Sequence, residues 1–224
     1  MRKVQFVNNE YYHIYNRAVP NSLLFQEDED YQKFKRGLKD FNNKSYYEER
    51  AAMVRKYGFK ELSSFLELTE KVVAVVAYCL LPNHFHLILK QLTANGIPKF
   101  LHKIGTSFTN FNNKKYDRPG SLFQGTYKAI HVDNNDYLLW LSGYVNGNCE
   151  IHGLADTESY QWTSYSHFLG AKPDDLVVDN EIILNQFKEL KELSSLTGYG
   201  KFVKVVIEES RKRKDLEKYL LEKI

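Results

Sequence analysis

The chain has 224 residues, 43% of them hydrophobic and 26% charged, a composition that supports one sizeable core and argues against disorder. No apolar run reaches the roughly 18 residues of a membrane span, and the start MRKVQFVNNEYY lacks the apolar core of a secretion signal, so a cytoplasmic protein with no membrane partner is expected. Cys79 and Cys149 form no CxxC pair, which speaks against a disulfide framework or zinc knuckle, and a net charge of +3 permits a nucleic-acid partner without demanding one.

Tyr11 to Asn16 alternates as a strand does, and the loop from Arg17 to Ser22 ends it. Glu27 to Phe41 places Tyr31, Phe34 and Leu38 at helical spacing behind an acidic start, which suits the positive end of a helix. Residues 42–66 read as a polar helical insertion. VVAVVAYCLL, residues 72–81, reads as a buried strand, and Pro82-Asn83 turns it into a second strand, HFHLILK. From Pro98 a helical stripe of Phe100, Leu101, Ile104, Phe108 and Phe111 continues to the breaker at 117–120. GSLFQGTYKAIHV reads as extended, and Asp133 is placed to cap a helix running to about Gly147. The order strand, helix, strand, strand, helix, strand is the α+β, ferredoxin-like βαββαβ pattern, an antiparallel sheet with helices on one face, followed by an added helix. Residues 1–155 are expected to form this domain and 156–224 a mostly helical extension.

On the HFHLILK strand, His84 and His86 share a face while Phe85 and Leu87 take the other. Their backbones stand roughly 6.6 Å apart along the strand, so both imidazoles can reach one ion. A catalytic metal needs about three protein ligands, and the pair alone supplies two. On the helix after Asp133, Tyr144 and Asn148 lie four residues apart and so share a face. An Asn148 amide oxygen would suit a hard ion such as Mg²⁺ or Mn²⁺. Gly143 and Gly147 flank the pair, reflecting either close packing or mobility of that helix. Lys99, Lys103, Lys114, Lys115, Arg118 and Lys128 interleave with aromatic residues, as in proteins that bind single-stranded or hairpin nucleic acid.

The combination of YYHIYNRAVPNSLLF, LLPNHFHLILK and the stretch from FNNKKYDRPGSLFQG to LSGYVNGN resembles the HUH single-tyrosine transposases, particularly the REP-associated type, over residues 7–155. The resemblance implies that His84 and His86 bind a divalent metal, that Asn148 completes the ligands and that Tyr144 is the nucleophile. It further implies cleavage and rejoining of single-stranded or hairpin DNA through a 5′-phosphotyrosine, with Arg17 and the lysines meeting phosphates, in a homodimer or a monomer. The chain departs from the family's common Asn-Pro at Asn148-Cys149, and Gly147 stands where a larger apolar residue is usual. Two other classes remain open, a non-catalytic DNA-hairpin binder and a zinc hydrolase. A ferredoxin-like RNA binder is disfavoured because the aromatic RNP signature is missing.

Overall fold

The computed structural model describes residues 4–44, 70–188 and 195–212. Strands β1 (Tyr11–Arg17), β2 (Val73–Leu81), β3 (His84–Gln91) and β4 (Lys128–Val132) form one sheet in the order β2-β3-β1-β4. Every neighbouring pair is antiparallel. Helix α1 (Asp28–Asp40) joins β1 to β2, and α2 (Gly96–Lys115) joins β3 to β4. This is the βαββαβ arrangement expected from the sequence.

Local chemistry accounts for each element. β2 is buried at every residue, as its run of valines requires. Its link to β3 is the two residues Pro82 and Asn83, whose carbonyls accept from Leu24 at 2.7 Å and Ala18 at 2.8 Å. Those bonds tie the loop after β1 to the hairpin. α1 opens with a reciprocal capping box between Glu27 and Asp30. α2 begins at Gly96, two residues ahead of Pro98. A Cβ there would lie 2.3 Å from the carbonyl oxygen of Val72, so only glycine lets the helix start against β2, a constraint that local sequence does not display.

α1 and α2 cover one face of the sheet. Phe34 of α1 meets Phe85 of β3 at 5.1 Å and Phe108 of α2 at the same centroid distance. The opposite face is covered by the added helix α3 (Asn135–Asn146), followed by α4 (Asn148–Ile151), α5 (Tyr165–Phe168), α6 (Glu181–Lys188) and α7 (Ser195–Lys212). The described residues beyond 155 include Phe168, Ile183, Tyr199 and Val206, which belong to the same buried core as the sheet.

Three local expectations are corrected. The cap of α3 is Asn134, whose side chain accepts from the Tyr137 amide at 2.8 Å, and Asp133 instead accepts from the Asn134 side chain. Of the stretch from Gly120 to Val132, only Lys128–Val132 is a strand. The preceding loop lies beside the chain leaving β1, with Val19 donating to Leu122 and Gln124 donating to Arg17, both at 3.0 Å. Asn42 belongs to the fold rather than to an insertion: its side chain accepts from the amides of Val72 and Val73 and donates to the Val73 carbonyl. The rest of the expected insertion, from residue 45, lies outside the described residues. Among the described residues no helix is long and apolar enough to cross a membrane.

Candidate active site

Strand register assembles the site. Tyr15 and Cys79 stand opposite His86, and Arg17 opposite His84, while Lys128 faces Tyr15 from β4. Cross-strand partners share a face, so these residues lie on the face where α3 packs, with Arg17 and Lys128 left exposed. His86 is fully buried, its ring stacked on Tyr15 at 5.7 Å. Its Nδ1 lies 2.9 Å from Nε2 of His13, itself fully buried. His84 Nδ1 donates to Asn83 Oδ1 at 2.7 Å. Because an amide oxygen only accepts, that bond assigns the hydrogen to Nδ1 and leaves Nε2 of a neutral His84 with its lone pair. The His84 and His86 rings stand edge to face at 5.3 Å.

Tyr144 projects from α3 toward the same place. Its ring meets His86 edge-on at 5.8 Å and His13 at 6.5 Å. The other flank is stacked on Trp140 at 5.4 Å, leaving Tyr144 only 3% exposed. Asn148, one turn on, is 0% exposed, and neither atom of its amide has a hydrogen-bond partner among the described residues. A buried amide without protein bonds costs about 1–3 kcal/mol unless water or another group meets it. Among the described residues no three His, Cys, Asp or Glu side chains are grouped to hold a metal.

The extension fixes the tyrosine helix. Asn146 donates to the Tyr199 hydroxyl of α7 at 2.7 Å and accepts from Ser164 at 2.6 Å. Cβ atoms added at Gly143 and Gly147 would meet Val206 at 2.9 Å and Ile207 at 2.6 Å. The two glycines thus serve the close approach of α7, which decides between the two reasons their positions left open.

The basic residues divide. Arg17 and Lys128 line a cleft of about 640 Å³ that reaches His84 and His152. Arg17 Nε donates to Gln124 Oε1 at its edge. Lys99 and Lys103 lie exposed on α2, the helix across the sheet from the histidines, and Lys114 is exposed at its end. Lys115 is committed to Glu27, Glu29 and Asp30, and Arg118 donates to the Ser121 carbonyl. The cleft therefore gathers Arg17 and Lys128 with His84 and His152 and leaves the other five elsewhere. Of the other tyrosines, Tyr116 donates to Asp30 at 2.7 Å and is pushed up to about 12 by burial and that bond, and burial followed by Asp133 raises Tyr137.

Sequence reasoning passed over His13, Tyr15, Asn83, Gln124 and His152. For the first two a signal existed, since His13, Tyr15 and Arg17 recur with the period of two that defines a strand face. His152 had none: its ring reaches His84 at 5.1 Å only because α4 ends there.

No family model and no curated protein matches the chain. Among solved structures, a REP-associated tyrosine transposase bound to a REP hairpin superposes with a TM-score of 0.53 at 13% identity, covering 80% of this chain and 92% of that one. The two chains share a fold.

Proposed function

We propose that this chain is a metal-dependent transposase of the REP-associated tyrosine type, cutting and rejoining single-stranded DNA beside a hairpin. The observation that carries this reading is the meeting of the Tyr144 ring with His86 at 5.8 Å, across the face where His84 also stands. The shared fold and the order of motifs in the sequence support it.

His84, His86 and the amide oxygen of Asn148 would hold Mg²⁺ or Mn²⁺, oxygen-preferring ions compatible with imidazole. The residues fit: Asn83 orients His84, and Asn148 is buried with its bonding capacity unspent. His13 would do for His86 what Asn83 does for His84, accepting from Nδ1 and leaving Nε2 for the ion. When bound, the ion supplies Lewis acidity that offsets charge on the phosphate oxygens.

The Tyr144 oxygen attacks a backbone phosphorus and gives up its proton. A phosphotyrosine bond forms at the 5′ end, the bond to the 3′ oxygen breaks, and that oxygen leaves protonated. One phosphoester replaces another, so a second strand's 3′ hydroxyl can reverse the step without ATP. Arg17 and Lys128 would hold the phosphates entering the cleft, and the protein would act as a homodimer or a monomer in the cytoplasm.

The test is incubation with labelled hairpin DNA carrying single-stranded flanks, with Mg²⁺ or Mn²⁺, followed by a denaturing gel. A covalent adduct is expected, lost in Tyr144→Phe, and an undiminished adduct in that variant rejects the assignment. The 3% exposure of Tyr144 favours a second reading, a hairpin-binding protein without strand transfer, which would form no adduct with any strand. Stoichiometric, tightly held zinc would instead point to a hydrolase.

A further inference from the structure

The cleft beside His84 is more than a cationic channel. Two large apolar side chains stand open in it, Leu23 at 45% and Leu154 at 47% exposure, with Leu81 and Pro82 between the polar edges. Neither leucine sits on a loosely held loop. Gly153 takes the left-handed conformation at φ 67° and the Leu154 amide bonds back to Cys149 at 2.9 Å, a helix-ending motif that sets where residue 154 points. Leu23 precedes two residues, Leu24 and Phe25, whose amides both bond the Pro82 carbonyl. The structure therefore holds two greasy side chains in water, at a cost, in the lining of one cleft.

The rest of the lining narrows what could cover them. Arg17 and Lys128 bring positive charge, Asn16, Gln124 and Thr126 bring amides and a hydroxyl, and among the described residues no carboxylate lines the cleft. A ligand that matches this has a flat apolar body, polar edges and an attached anion, and it must be able to reach His84. A volume of about 640 Å³ falls in the usual range of small-molecule sites, about 300–1,000 Å³.

We propose that the cleft is a slot for one unpaired nucleobase next to the attacked phosphate, gripped between Leu23 and Leu154 with its phosphate on Arg17 and Lys128. A paired base is stacked on both sides and cannot enter, so the slot selects strands that are single at the cleavage point. The amide groups of Asn16 and Gln124, held by the Gly125 carbonyl at 3.1 Å and by Arg17, are placed to read the base edge. This inference rests on the proposed function for the strand's path to Tyr144, but not on the chemistry there.

The test measures binding without cleavage. The probe is a labelled DNA hairpin with a short thymidine flank, in which each flank base is replaced in turn by an abasic sugar, and affinity is read by fluorescence anisotropy in the absence of added metal. In the full chain one abasic position should weaken binding about tenfold, the order expected for losing a held base. In Leu154→Ala, and separately in Leu23→Ala, that same abasic replacement should cost less than about twofold, because the grip is already gone. Both leucines are exposed, so the variants should keep the unfolding midpoint of the parent. Equal losses at every flank position, or a position-specific loss that persists unchanged in both variants, overturn the slot. Failure of adduct formation with Mg²⁺ bears on Tyr144 and leaves this result untouched.

Discussion

The two faces of the same sheet are built on opposite terms. Toward α1 and α2 it presents Ile14, Phe85 and Leu87, met by Phe34, Phe100 and Phe108 in one buried cluster. Toward α3 it presents His13, Tyr15 and His86, all of them buried. Consecutive residues of β3 alternate between the two, and a slip of one residue would exchange them. The first face supplies stability from buried apolar area, and the second spends some of it to keep polar groups dry and fixed.

The largest effects should separate along that line. Leu87→Ala is expected to lower unfolding free energy by about 2–5 kcal/mol, read from urea titration, while leaving adduct formation by the folded fraction intact. His86→Ala should abolish the adduct and lower stability by less than Leu87→Ala does. The reverse ordering would break the division of labour between the faces.

How much of this division was legible in the sequence depends on how locally it is written. The alternation of His84, Phe85, His86 and Leu87 within β3 states both faces outright, whereas the expected single helix carrying Tyr144 and Asn148 is interrupted at Gly147, so that Tyr144 lies on α3 and Asn148 opens α4. The partners of those residues were hidden because they are non-local. His13 reaches His86 across 73 positions, and His152 finds His84 only once α4 has folded back. Basic residues misled for a related reason. Lys115 looks like its neighbours in a list, yet it is absorbed by Glu27, Glu29 and Asp30, which lie some 85 positions earlier.

The polar face depends on α3 being held, and two glycines make that possible. Gly147→Ala would force a Cβ to within 2.6 Å of Ile207, and overpacking of this kind costs about 1–3 kcal/mol. The displacement should fall on α3 and Asn148, so adduct formation should drop together with the unfolding midpoint. Gly143→Ala meets its neighbours at 2.9 Å and beyond and should do less of both. Next in size is His13→Ala. Loss of an outer partner to a metal-ligating histidine typically costs 10–100-fold in affinity. Mn²⁺ binding followed by electron paramagnetic resonance should weaken by that order, and unchanged binding would reduce His13 to packing.

The smallest effect concerns a buried charge on the apolar side, and it sharpens the contrast because both oxygens of that carboxylate are bonded. Asp30 is fully buried. Burial alone would raise its carboxyl, but bonds from Lys115, Tyr116 and the amides of Gln26 and Glu27 outweigh it and hold the group below its ordinary value of 3.8. A carboxyl lowered in the folded state contributes stability above its unfolded value, and that contribution disappears as pH falls through the lower, folded one. The stability gap between the parent and Asp30→Asn should therefore be constant from about pH 5 to 7 and shrink below about pH 4, measured by urea unfolding across the series. A gap that ignores pH would mean that packing of the side chain, rather than its charge, ties the start of α1 to the end of α2.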